Sequence, residues 1–404
     1  MGSNTLLTVD MITKEALRLA HEKAVFIGTI NRQFDDQFTS SGRPQGDTLR
    51  IRIPSEYTRR SGSRVMDVQD NVQVSTSLVV ATQDGVDMRV NSRELTLDME
   101  QFSQLHLEPA MATLMSNMDA DVLVGCTKST YNYAGTAGTP VSSLTAPGAA
   151  RTRLNQQLAP KDMNRNIQFD SATMATIVSG TAAYFNPANA ISEQFREGLV
   201  ARTAMADYYE NERIWSLANT TSVTMSTAKL NGFISTLGQT SINITSVTAS
   251  TLNIGMKFTM ANVFDVHPET KQVYAQLKQF TIVAVTDVST YTVSPAMYRS
   301  GPRQNIGGVG TTTSSATFTF LGSPNSTYAL GLMYHRDAFT FATAELPLMG
   351  AAEKCVRRTY DGISLRVWQD ADIRNDELLT RIDILYGFAA IRPQWACAIV
   401  GSSA

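Results

Sequence analysis

Hydrophobic positions recur at three- and four-residue spacing over residues 9–26, where Val9, Ile12, Ala16, Leu19, Ala20 and the aliphatic stem of Lys23 share one face. Asp10 lies near the start, where the helix dipole favours an anion. The spacing predicts an amphipathic helix, and the turn-rich residues 32–48, with Ser40, Ser41, Gly42, Pro44 and Gly46, predict an extended connector. Strict alternation then takes over. Leu49, Ile51 and Ile53 are separated by Arg50 and Arg52 up to Pro54, and strand character returns through Val72, Val74, Ser75, Leu78 and Val80. The pattern is that of a long hairpin. Its tip, residues 57–71, holds Arg59, Arg60 and Arg64 beside Asp67 and Asp70, too polar to bury itself.

The period changes again at Leu97–Val124. Phe102, Leu105, Met111, Leu114, Met115, Met118, Val122 and Leu123 fit a helical face, with Pro109 suited to a first turn. Residues 129–161, rich in Gly, Ala, Thr and Pro, read as loop. A helix is expected from Asp170, a good N-cap, to Ala183, and a polar helix or loop precedes the segment Arg196–Glu212. Residues 222–321 differ from the rest. They contain almost no charged clusters and show short strands at Phe258–Met260, Val273–Ala275, Phe280–Val285, Tyr291–Val293 and Ala316–Phe320, separated by turn signals as in a small barrel or sandwich. A helical stretch near Tyr328–Tyr334 and strands at Ile363–Val367, Leu378–Tyr386 and Ala396–Val400 complete the chain.

Composition adds a constraint on the surface. Only 17% of the 404 residues are charged, against roughly a quarter in ordinary soluble chains, so much of the surface is expected to face other protein. The formal net charge of −2 argues against a binder that grips nucleic acid by bulk charge. Cys126, Cys355 and Cys397 are widely spaced and odd in number, which points to buried free thiols rather than a disulfide framework or zinc site. No secretory leader pattern and no membrane-length apolar run is evident, so membrane insertion is not expected.

Catalytic chemistry finds little support. His21, His106, His267 and His335 are isolated, and the glycine run 306–310 is not followed by the Lys-Ser/Thr of a phosphate loop. The acidic run Asp370, Asp372, Asp376 and Glu377 fails as a calcium loop, because Arg374, Asn375 and Arg381 occupy positions that need an oxygen ligand, a Gly and a Glu. It is expected to be a solvated or intersubunit charge patch. No cofactor and no enzymatic activity are expected.

The string Arg381-Ile382-Asp383-Ile384-Leu385-Tyr386-Gly387, followed by Arg392-Pro393, resembles the closing strands of tailed-bacteriophage major capsid proteins, above all the coat proteins of short-tailed Salmonella-type phages. Tyr184-Phe185-Asn186-Pro187 and Phe195-Arg196-Glu197-Gly198-Leu199-Val200-Ala201-Arg202 are similar to two further segments of that group, in the same order. The positions that carry the likeness are Tyr184, Asn186, Pro187, Arg196, Gly198, Arg202, Arg381, Tyr386, Gly387, Arg392 and Pro393.

The resemblance implies an α+β chain with the Hong Kong 97-type capsid fold. It would comprise an N-terminal arm and connector (1–46), an E-loop (47–90), a peripheral domain with its spine helix (91–130), the first part of an axial domain (131–222), an inserted small β-barrel domain (223–321) and the return through axial and peripheral domains (322–404). It further implies assembly of the chain with itself into hexamers and pentamers of an icosahedral head, procapsid maturation, a scaffolding protein, a portal protein, and packaged double-stranded DNA held on the inner face without sequence specificity. The virion capsid is then the final location and the host cytoplasm the place of assembly. Asp10 and Glu15 are the expected arm contacts to scaffold or subunit, and Arg59, Arg60, Arg64, Asp67 and Asp70 the expected intersubunit contacts of the E-loop. Some capsids of this fold are crosslinked through an E-loop lysine; no Lys occurs between Lys23 and Lys128, so no such crosslink is expected. Two alternatives remain at this point: an encapsulin-like cargo shell, and a glycan-binding, tail-associated β-rich protein. The insert, which most shells of this fold lack, and the few aromatics in its turns weigh against them.

Overall fold

The computed structural model describes residues 25–34, 48–63, 66, 68, 69, 73–91, 108–181, 206–219, 228–232, 234, 236–245, 252–308, 316–348, 354–360, 363–372, 374, 375 and 377–403. The expected N-terminal helix with Asp10 and Glu15 lies outside these residues. So do Arg64, Asp67, Asp70, Tyr184, Asn186, Pro187, Arg196, Gly198 and Arg202. The chain divides into two compact units, one within Met1–Ile51, Thr76–Val122 and Phe339–Ala389, the other within Arg52–Ser75, Leu123–Ala338 and Ala390–Ala404.

In the first unit, the strand Glu377–Ala390 is the centre of a five-stranded sheet. It pairs antiparallel with Ile363–Asp372, which pairs with Lys354–Tyr360, and on its other side with Thr82–Asn91; Phe339–Ala344 completes the sheet. The stretch Thr82–Asn91, expected as part of the long hairpin, thus belongs to this sheet instead. The hairpin itself consists of Thr48–Ile53 paired with Val74–Val79. Helix α1, Glu108–Ser129, begins in this unit and has residues 123–129 in the second; it takes Pro109 in its first turn as expected and buries Met111, Leu114, Met115, Met118 and Val122 at helical spacing. Its buried Asp119 accepts backbone N–H bonds from Phe26 (3.0 Å) and Ile27 (3.1 Å), satisfying donors that open the short turn Ile27–Thr29.

The second unit is built on a six-stranded mixed sheet in the order Tyr133–Ala134, Ala396–Ser403, Thr327–His335, Arg165–Phe169 and Asp207–Glu210, with Ser216–Ala218 paired to Thr327–His335. Helices α2, Thr145–Gln156, and α3, Ser171–Thr181, cover one face, where Leu154, Met174 and Ile177 pack with Ile167, Met333, Cys397 and Ile399. The Asp170 carboxylate accepts the Thr173 N–H at 3.1 Å, so the expected N-cap is present.

The opposite face carries a seven-stranded antiparallel sheet from Lys229–Leu230 to Phe318–Phe320. The strand Phe318–Phe320 pairs with Lys257–Val266, while the Leu230 N–H reaches Ala316 O at 2.9 Å and Lys229 bridges Thr317, so the strand order returns to its start. Phe258, at the centre, meets the rings of Phe280, Phe318 and Phe320.

Three further sequence expectations are corrected. Tyr328–Tyr334 is strand, not helix: Tyr328 and Leu330 pack on one side and Met333 on the other, and burial of both faces erases the alternation that identifies a strand. Residues 129–161 contain α2, whose polar sequence with Pro147 and Gly148 resembles loop but whose Pro147 sits early and buried. Val273–Ala275 and Phe280–Val285 form one strand, Val273–Val285, through a polar centre. The apolar cluster of the β-rich segment also takes in Tyr328, Leu330, Ala398 and Val400 of the six-stranded sheet. Of the three thiols, Cys126 and Cys397 are buried and Cys355 is half-buried.

Candidate functional site

Three groups of residues have geometry beyond core packing. The first is the hairpin tip. Arg59 and Arg60 are exposed, as are Tyr57 (58%), Met66 (81%) and Val68 (78%). The tip is therefore as apolar as it is cationic, a property the count of arginines and aspartates concealed. Thr58 and Gln69 hold it together: the Thr58 N–H donates to Gln69 Oε1 at 2.8 Å and Gln69 Nε2 donates to Thr58 O at 2.7 Å. Apolar side chains on so thin an arm have no core of their own to enter.

The second group is the closing strand. Asp383, fully buried, accepts bonds from Arg366 Nη2 at 2.5 Å and Arg381 Nε at 2.7 Å, and Arg366 Nη1 also donates to Pro347 O. The Asp383 carboxylate raises the Arg381 pKa by hydrogen bonding and by charge. Tyr386 donates its hydroxyl to Asp84 at 2.8 Å, with Asp121 at 3.3 Å; burial and then these carboxylates hold the phenol protonated. A Cβ on Gly387 would lie 2.0 Å from Val79 O, a backbone atom. Gly387→Ala will therefore destabilise the chain by on the order of 3 kcal/mol through overpacking, read as a lower urea midpoint of the unassembled protein. Further on, Arg392 stacks on Trp395 at 4.2 Å, Pro393 opens a short turn, and Trp395 Nε1 donates to Gln157 O. These motif residues shape the fold. The acidic run is similarly local: Glu377 pairs with Arg89 at 3.4 Å, and Asp372 caps the turn at Arg374 and Asn375.

The third group was not anticipated. It joins the seven-stranded sheet to the end of α1 and to α2. The ammonium of Lys257, fully buried, donates to Thr127 O at 3.1 Å and to Thr130 O, carbonyls at the C-terminal end of α1 where a cation is favoured. Burial pushes its pKa down to about 7. Asp265 and Lys278 form a buried ion pair at 2.8 Å, and Gln157 Nε2 donates to the second Asp265 oxygen at 2.9 Å. Lys278 also lies over the Tyr131 ring at 5.3 Å. Gln279 accepts the Tyr133 N–H at 2.9 Å and donates to Tyr133 O at 3.0 Å, imitating one more strand. The available signal was the presence of isolated Lys and Asp residues inside a segment otherwise poor in charge. Such residues in strands are either exposed or paired, and periodicity alone does not distinguish the two.

No group of three or more potential metal-ligating side chains occurs among the described residues. An open, mostly apolar groove of about 430 Å³ is lined by Asp87, Met88, Trp368, Asp370, Leu379, Thr380 and Arg381.

The arm thus exposes an apolar and cationic tip, and the charged clusters of the two units serve the fold. Residues 218–401 match the family model described as P22 coat protein, gene protein 5. Over the whole chain the fold is similar to a solved structure titled Mycobacterium phage Che8, with a TM-score of 0.51 at 10% identity, covering 93% of this chain and 90% of that one. A head structure of Helicobacter pylori bacteriophage KHP40 aligns with a TM-score of 0.45 at 11% identity over 92% of both chains. The CUS-3 coat protein I-domain aligns at 23% identity and a TM-score of 0.21, covering 24% of this chain and 97% of that one. Comparison with curated protein sequences gives no match. The whole-chain likeness shows the phage capsid fold, and the family match lies within residues 218–401.

Proposed function

We propose that the chain is a tailed-phage major capsid protein, a structural subunit of an icosahedral head rather than an enzyme, that its copies associate as hexamers and pentamers without covalent crosslinks, and that the hairpin tip is a principal clamp between them. The observation that carries this reading is the exposed Tyr57, Arg59, Met66 and Val68 on an arm with no core of its own. Arginine forks on such a tip pair with carboxylates of a neighbour, while the apolar side chains supply burial. The absence of Lys between Lys23 and Lys128 leaves the arm without an amine for an isopeptide bond.

Within this reading the chain is of the short-tailed Salmonella-phage type, with residues 223–321 an inserted β-barrel domain, a view supported by the ring of strand pairing and the segment matched to the coat-protein family. The barrel braces the axial domain through Lys257, Asp265, Lys278 and Gln279. A scaffolding protein contacting Asp10 and Glu15, a portal at one vertex, packaged double-stranded DNA on the inner face, and assembly in the host cytoplasm complete the proposal.

Changing Arg59, Arg60 and Arg64 together to Ala will lower shell yield by about tenfold while leaving the unfolding midpoint of the unassembled chain unchanged. Electron microscopy and sedimentation of wild type and variant, expressed with and without a scaffold, read the first effect; urea titration reads the second. A wild-type chain that never forms capsomers or shells would overturn the assembly proposal. A triple variant that no longer folds would show that the tip is not a clamp.

A further inference from the structure

The loop His267–Gln272, between the strands Lys257–Val266 and Val273–Val285, makes an unusual contact for a surface turn: Lys271 Nζ pairs with Glu56 of the hairpin arm at 3.5 Å. Lys271 is only 14% exposed, and its ammonium has no hydrogen-bond partner, so Glu56 is its one ionic neighbour among the described residues. Its backbone has φ +57°, a left-handed conformation that a lysine holds only when the surroundings impose it. The turn itself is imposed by His267. Nδ1 of that imidazole accepts the backbone N–H groups of Glu269 and Thr270, both at 3.1 Å, and the His267 backbone bonds Gln272 and Lys271. Two donors on Nδ1 require the neutral tautomer with its proton on Nε2.

The geometry points to a proton-operated catch: neutral His267 shapes the turn that presents Lys271 to Glu56, and protonation of His267 releases the base of the arm. A proton on Nδ1 turns the acceptor into a donor facing two N–H groups, so both bonds are lost together. The groups around the imidazole act in the same direction or stay fixed. Within the turn, Glu269 is exposed and Lys271 becomes a like charge; from the following strand the Tyr274 ring lies at 6.0 Å; from the preceding strand Asp265 is held by Lys278 and Gln157; from the arm comes Glu56. The catch keeps the arm base tied to its own chain at neutral pH and frees it under mild acid, biasing the availability of the proposed clamp. It rests on the reading of the hairpin as that clamp.

Hydrogen exchange of the unassembled full chain, corrected for intrinsic rates, tests it at pH 7.5 and 5.5 on peptides spanning residues 52–63 and 266–273. In wild type, exchange in both peptides will rise by about tenfold at the lower pH. His267→Asn supplies an Asx-type acceptor that does not titrate, and will remove that rise while leaving protection at pH 7.5. Lys271→Ala will give the fast exchange of 52–63 at both pH values but leave 266–273 protected at pH 7.5. Equal wild-type protection at the two pH values, or the same rise in His267→Asn, overturns the catch. Because the exchange is read on unassembled protein, failure of the clamp reading shows separately, as normal shell yield from the triple arginine variant.

Discussion

Asp383→Ala will lower the unfolding free energy of the unassembled chain by about 3–5 kcal/mol, the cost of leaving a buried cation without its counter-ion. Asp383 has no exposed surface and Arg366 almost none, so after the change water cannot replace the lost carboxylate around Arg366, which keeps only Pro347 O as an acceptor. Arg381, whose side chain is 48% exposed, can turn to solvent, so Arg381→Ala will cost no more than about 1 kcal/mol. The paired change Arg366→Met with Asp383→Leu will recover most of the loss, because two apolar groups need neither partner. Urea titrations of the four chains measure all of this. A loss below about 1 kcal/mol for Asp383→Ala would show that the triad is solvated and unimportant.

Lys257 makes stability depend on pH in an unusual direction. Its pKa is about 7 in the folded chain against 10.5 as the ordinary value, so between these limits the unfolded chain binds more protons than the folded one. Stability therefore rises with pH across this window, by about 1.4 kcal/mol per unit from one such group. Below pH 7 the lysine is charged in both states and contributes no slope. Above pH 9 the sign reverses: burial raises the Cys126 and Cys397 thiols, the latter to about 12, so the folded chain keeps protons that the unfolded chain loses. The folded chain will be most stable near the ordinary thiol pKa of 9.0. Lys257→Met will abolish the rise between pH 7 and 8.5 and leave the fall above 9. A methionine variant that keeps the wild-type slope would assign the effect to another group.

The two cases differ in how far the sequence exposed them. Arg381, Tyr386 and Gly387 were visible as a string, and each serves the fold differently. Arg381 partners the buried Asp383, Tyr386 sets its phenol between Asp84 and Asp121, and Gly387 leaves room for the backbone of Val79. The string marked the place but not these roles. Arg366, seventeen residues before Asp383, gave no sign of being its main partner. Lys257, Asp265 and Lys278 were hidden in a segment noted mainly for its lack of charge, since pairing across 127–133 and 157 depends on which strands face α1 and α2.

Secondary structure shows the same division. The helix containing Met111, Leu114, Met115 and Met118 was evident because one face is buried, and the hairpin strand Thr48–Ile53 because its residues alternate. Thr327–His335 misled because both faces are covered, and α2 because a polar helix with Pro147 and Gly148 has no local preference strong enough to stand out.

The sequence by itself determined the periodic elements, the low charge and the ordered strings that resemble phage coat proteins. Those depend on residue spacing and chemistry along the chain. Tertiary structure alone decided that the β-rich segment shares its core with the host sheet, that a lysine from that segment caps α1, and that the arm tip exposes Tyr57, Met66 and Val68 beside its arginines. Burial and charge pairing join residues distant in sequence, and only the path of the folded chain sets which of them meet.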